Sequence, residues 1–297
     1  MEYRRRRSRR RSNTGGGAGR VVAVLLIAAA VIYIVSASAA GTWIAKNIMA
    51  PLFTAIDNLG KKSEETPPQT TPAAEVTIPG DTNAKAEQVI LPGIDSYMLQ
   101  MGVFSSMENA KAQADELKAR GAGGYIIEDA GKYRVIASCY KDRNSLQTVR
   151  DQLAKDGLDT AVYELHAPET PFEVTAGEDQ LARVKAGFRG LSEAQAKMND
   201  FVILFDKEQQ TPEQGRTAAG EILSELRSAG EYILASKADG AVLGLVKKCY
   251  EKYIASLEEL EKYDTESFID FSSQMKYTHL DITYEYAELV KEVSAAG

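Results

Sequence analysis

The sequence predicts an α+β protein: a βαββαβ unit with an antiparallel four-stranded sheet, then an all-α antiparallel bundle, with a transmembrane helix ahead of both. Three observations carry this. Gly102, Asp115, Leu117 and Gly121 recur at a constant offset of 36 residues as Ser138, Asp151, Leu153 and Gly157, with Phe104 over Tyr140. Beyond Pro171 the apolar residues fall at three- and four-residue steps, the helical period. Between Arg20 and Lys46 there is no charged residue.

The 297 residues are 44% hydrophobic and 26% charged, which leaves room for about two domains plus segments that fold into neither. Charge is unevenly spread. Residues 1–20 carry eight Arg against Glu2, a net +7 that leaves −14 on the remainder of a chain whose total is −7. A basic head on an acidic body suggests two compartments rather than one nucleic-acid-binding surface. Cys139 and Cys249 fall in different candidate domains, so both are expected as unpaired small hydrophobes.

The basic tail, residues 1–20, precedes the apolar run assigned to a membrane helix at 21–45. Its 25 uncharged residues exceed the roughly 20 needed to cross a bilayer core. The arginines hold the N-terminus in the cytoplasm and send the C-terminal side across, giving a single-pass cell-membrane protein with extracytoplasmic domains. A cleaved signal peptide competes, since Ala37-Ser38-Ala39 suits a signal peptidase. The length of the run, with Trp43 and Lys46 as an interfacial pair, favours the anchor. Residues 46–93, rich in Pro, Thr, Ala, Lys and Glu, are expected to be a disordered tether, because such a composition buries too little apolar surface to offset its ordering entropy.

The unit at 94–167 starts with a strand in which Tyr97, Leu99, Met101 and Val103 alternate with Met98, Gln100 and Gly102. Ser105-Ser-Met-Glu108 has the form of a capping box opening a helix with Ala110, Ala114 and Leu117 on one side, which Gly121 stops. A second strand near Tyr125–Glu128, a turn at Asp129-Ala130-Gly131 and a third strand at Tyr133–Ala137 follow. Leu146, Val149 and Leu153 mark the second helix, Gly157 ends it, and Ala161–Leu165 is the fourth strand. Both helices are needed on one sheet face, so the other, carrying Met98, Gln100, Arg134 and Ile136, is expected to be open. It is either a binding platform or a solvated surface.

Tyr97…Gln100-Met-Gly-Val-Phe104…Asn109-Ala110…Leu117…Gly121, followed by Tyr133-Arg134-Val135, resembles the SPOR (sporulation-related repeat) domain over about 70 residues. The resemblance implies a ferredoxin/RNP-like sheet with two helices that binds peptidoglycan glycan strands denuded of stem peptides, at division or sporulation septa. Gln100 and Arg134 stand where the family has its first-strand glutamine and third-strand arginine, and with Met98, Ile136, Ser105 and Tyr140 they form the expected glycan site. Ser105 is expected above all as a helix cap, and Tyr140 either stacks on a sugar or packs into the strand-to-helix corner. Ile136, Ser138 and Cys139 depart from the family pattern, which usually has a second polar or basic residue and then Gly-Pro.

Residues 171–297 are expected to form four helices. Leu181 to Phe205 mark the first, Thr211-Pro-Glu-Gln214 caps the second, Asp239 caps the third and Asp264 starts the last. This part carries a net −9, which disfavours nucleic acid and anionic wall polymers, and the resemblance implies divisome or sporulation proteins as partners it could bind. The sequence offers only His166 and His279, no metal-ligand spacing, no nucleophile elbow and no phosphate loop, so neither enzyme nor cofactor is expected. Two other readings compete: a wall hydrolase, or a regulator of one, with a site in the helical part, and an RNA-recognition sheet, which needs exposed aromatics and a cytoplasmic location.

Overall fold

The computed structural model describes residues 75–78, 83–155, 157–207, 209–236 and 240–296. The basic tail, the membrane helix, most of the tether and the Asp239 cap lie outside them. Among the described residues no helix is long and apolar enough to cross a membrane.

The expected βαββαβ unit is present. Its strands are β3 (Ile94–Phe104), β4 (Tyr125–Asp129), β5 (Lys132–Tyr140) and β6 (Ala161–Ala167), with helices α1 (Met107–Lys118) and α2 (Arg143–Lys155). All pairings are antiparallel in the order β4-β5-β3-β6. The helix stops are the expected glycines, since Gly121 and Gly157 both take positive φ while the residue after each donates back to Leu117 and Leu153. At the β4–β5 turn Ala130 (φ 48°) and Gly131 (φ 71°) are both left-handed, the type I′ hairpin geometry. Register shifts on either side of Gln100 place a bulge in β3, and a Cβ on Gly102 would lie 2.8 Å from the Phe104 ring. The cap of α1 is Ser106, not Ser105: the Ser106 hydroxyl accepts from the Asn109 N–H at 3.3 Å, because the extended backbone continues one residue further.

Four helices follow: α3 (Glu178–Asp206), α4 (Pro212–Ala235), α5 (Ala241–Glu261) and α6 (Phe268–Ala296). Thr211 caps α4 with Gln214, as its sequence suggests. The last helix begins not at Asp264 but after Ser267, whose hydroxyl accepts from Asp270 N–H and whose carbonyl accepts from Phe271 N–H. Consecutive helices pack against one another, with Tyr250, Tyr253 and Tyr286 fully buried among them.

Two expectations are corrected. Residues 46–93 are not all tether: β1 (Glu75–Thr77) and β2 (Lys85–Leu91) join β7 (Thr170–Ala176) in a second sheet ordered β1-β7-β2, with Val76, Val89 and Leu91 buried. The helical part accordingly starts at Glu178, since 170–176 form a strand with the strict alternation of a one-sided sheet. The sheets are joined where Pro92-Gly93 passes Pro168-Glu169. A Cβ at Gly93 would sit 2.6 Å from the Glu169 nitrogen, so only glycine fits.

The second correction concerns the exposed sheet face. Tyr97, Leu99, Val135, Ala137 and Val162 pack under α1 and α2 as expected. The opposite face is covered by α6. Met98, Tyr125, Ile127, Ile136, Cys139 and Leu165 belong to one continuous core with α3, α5 and α6. The βαββαβ unit and the bundle therefore share a hydrophobic core rather than standing as separate modules.

Candidate functional site

The face opposite α1 and α2 is built by strand alternation and cross-strand register. Met98 pairs with Cys139 and Tyr163, Gln100 with Ile136 and Ala161, Tyr125 with Ile136, and Ile127 with Arg134. All of these side chains leave the sheet on the side facing α6.

Over most of that face α6 is seated closely. Ser272 Oγ and Lys276 Nζ each donate to Gly121 O at 3.1 Å, and Ser273 Oγ donates to Ala122 O at 2.9 Å. The Tyr125 hydroxyl donates to Asp281 Oδ1 at 3.1 Å, and Tyr286 donates to Pro92 O at 2.8 Å. Met98 and Ile136 are 0% exposed beneath the helix, so neither is available to a ligand. Uncovering Met98, Ile127, Ile136 and Leu165 would forfeit roughly 1.5–3 kcal/mol each, on the order of the whole stability of a domain. This contact is structural and not a lid.

What stays accessible is the rim towards the C-terminal end of β3. There the Arg134 guanidinium donates through Nε to Asp129 Oδ2 at 2.9 Å and through Nη1 to Gln100 Oε1 at 3.0 Å, and it lies 5.2 Å over the Tyr163 ring. Gln100 is 9% exposed, and its amide Nε2 has no protein acceptor among the described residues. The side chains of Arg134 and Asp129 are 27% and 40% exposed, and Val103 beside them is exposed. From α6, Tyr284 reaches the same region. Its ring centroid is 6.2 Å from that of Tyr125, and burial, then Glu288, Tyr163 and Asp129, push its hydroxyl up to about 12.

Of the six residues expected to bind glycan, the structure brings only Gln100 and Arg134 together in a place that solvent reaches. Ser105 is exposed at the end of β3, one residue before the true cap. Tyr140 is on the other face, packed against the core under α1 and α2, where its hydroxyl accepts from Ser138 Oγ at 3.1 Å. Asp129, Tyr163 and Tyr284 were not singled out by sequence. Tyr163 was traceable through the alternation with Leu165, and Tyr284 through the Tyr277, Asp281, Tyr284 spacing on a second stripe of α6.

A thiol and an imidazole also meet under α6, with Cys139 Sγ 3.4 Å from His279 Nδ1. Burial pushes the thiol up to about 12 and the imidazole down to about 4, so both are neutral and the pair has no thiolate to act as nucleophile. Glu258, in the acidic run of α5, pairs with Arg227 and Lys262 at the surface.

Residues 94–164 match the family model of the SPOR domain, which covers the four-stranded sheet and its two helices and no part of the bundle. Comparison with curated proteins finds no match. Among solved structures, the peptidoglycan binding domain of the B. subtilis cell wall lytic enzyme CwlC is similar at 23% identity over 24% of this chain and 89% of that chain, with a TM-score of 0.21.

Proposed function

We propose that this chain is a non-catalytic, membrane-anchored protein that binds peptidoglycan glycan strands, denuded of stem peptides, at division or sporulation septa. The observation that carries this reading is the SPOR match at 94–164, within which Gln100 and Arg134 form a hydrogen-bonded pair at a solvent-reached rim of the inner sheet face. An amide and a guanidinium held in fixed geometry offer donors and an acceptor to sugar hydroxyl and N-acetyl groups. The apolar run at 21–45 and the arginines before it support an anchor with the SPOR domain outside the cytoplasm. The bundle adds a partner-binding or scaffolding surface for divisome or sporulation proteins.

The test is co-sedimentation of the full-length chain, in mild detergent, with purified sacculi before and after amidase digestion. Pelleting should rise after digestion and fall severalfold in Arg134→Ala. Equal recovery with and without sacculi would exclude the reading.

A further inference from the structure

We propose that the sugar is taken at a composite site in which Tyr284 of the bundle joins Arg134, Gln100 and Tyr163 of the sheet. The helical bundle is then a part of the binding surface. This rests on the glycan-binding reading above and adds to it a residue that lies outside the SPOR match.

The inner sheet face cannot bind as a whole, because α6 covers its centre, where Met98 and Ile136 are fully buried and Cys139 meets His279 and Thr283. A ligand reaching Gln100 must therefore approach past the edge of α6. Tyr284 stands at that edge: its ring centroid is 6.2 Å from that of Tyr125 on β4, and Ile127, two residues further along the same strand, pairs across to Arg134. Tyr163 and Tyr284 are both half-buried, each with part of its surface open to solvent.

The chemistry of this rim suits an N-acetylated pyranose. Phenol rings accept the C–H faces of a sugar, and the Gln100 amide N–H has no protein acceptor among the described residues, which suits it to an N-acetyl carbonyl. Asp129 neutralises Arg134 through both Nε and Nη2. The site carries no net positive charge, which favours an uncharged glycan over a phosphate-bearing wall polymer.

The experiment uses the full-length chain in mild detergent and amidase-treated sacculi, with Tyr284→Leu, Tyr284→Phe, Arg134→Ala and, as a bundle control, Tyr232→Leu. Tyr284→Leu should lower the pelleted fraction at least fivefold, with Tyr284→Phe within twofold of the parent and Tyr232→Leu unchanged. A loss in Arg134→Ala with full binding in Tyr284→Leu would overturn the composite site and leave the glycan reading standing. Failure of the parent chain to pellet would remove both. Independently of folding in the variants, solubilised denuded strands should shield Tyr284 of the parent chain from hydroxyl-radical oxidation, read by mass spectrometry. Unchanged oxidation of Tyr284 in a chain that binds the strands would also overturn the composite site.

Discussion

The Tyr125 hydroxyl donates to Asp281 across 3.1 Å, joining the edge strand of the four-stranded sheet to the last helix over a separation of 156 residues. Asp281 also accepts from Ser256 of α5 at 2.6 Å, so one carboxylate ties strand, helix and bundle together. Burial, reinforced by this carboxylate, pushes the Tyr125 phenol well above its ordinary range and keeps it a donor.

Tyr125→Phe removes that donor and keeps the ring against Tyr277 and Tyr284. A hydrogen bond to a charged group contributes about 1.5–3 kcal/mol, and Asp281 retains Ser256, so a loss near the lower end is expected. Chemical denaturation of the parent and the variant measures it. Equal midpoints would show that the bond between sheet and helix contributes nothing to stability.

Excising the SPOR match gives a sharper test of the shared core. A fragment of residues 94–167 lacks α6 and presents Met98, Ile127, Ile136 and Leu165 to water. It also loses the side chains that donate to Gly121 O and Ala122 O. The fragment should bind a hydrophobic dye and unfold without a cooperative transition, whereas the chain that includes α6 melts cooperatively. A soluble fragment with a sharp transition would mean that α6 is dispensable to the sheet.

This dependence was hidden in the sequence for a physical reason. Strand alternation locates Met98, Gln100 and Ile136 on one face, and the repeat locates both helices on the other, yet neither says what covers the remaining face. The departures at Ile136, Ser138 and Cys139 were the available signal. Ile136 is apolar where the family usually has a polar or basic residue, because it meets α6 and not water. The helix carried the matching signal: beside the stripe of Phe271, Met275, Ile282 and Tyr286 it buries His279, Leu280 and Thr283, so it is enclosed on two sides. The strands β1 and β2 escaped notice because Pro and Thr surround them and their partner β7 lies almost a hundred residues away.

Acid should loosen the same interface. His279 is buried, with its pKa lowered from 6.5 to about 4 by desolvation, and its partner Cys139 brings no countercharge. The unfolded chain takes up this proton below about 6.5 while the folded chain resists until about 4, so stability is complete above that window and declines as pH falls through it. At 1.36 kcal/mol per pH unit the effect is on the order of 3 kcal/mol. Denaturation at pH 7 and pH 4.5 of the parent and of His279→Gln isolates it from titrating carboxylates. The parent should lose more stability than the variant, and parallel losses would assign the acid sensitivity elsewhere.

At the β4–β5 turn the strain is local and removable. Ala130 holds φ at 48°, a left-handed conformation that costs an ordinary L-residue about 1–2 kcal/mol, while the following Gly131 takes φ 71° freely. Asn-Gly is the pair best suited to two consecutive positive φ values in a two-residue hairpin. Ala130→Asn should therefore raise stability by roughly 0.5–1 kcal/mol, read as a higher denaturant midpoint with an unchanged slope. The turn sets the register that pairs Asp129 with Lys132 and Ile127 with Arg134, and so presents Asp129 to the Arg134 guanidinium. A stabilised turn should leave glycan binding at the parental level. A midpoint no higher than the parent's would place the left-handed Ala130 at no cost to the fold, contrary to the steric argument.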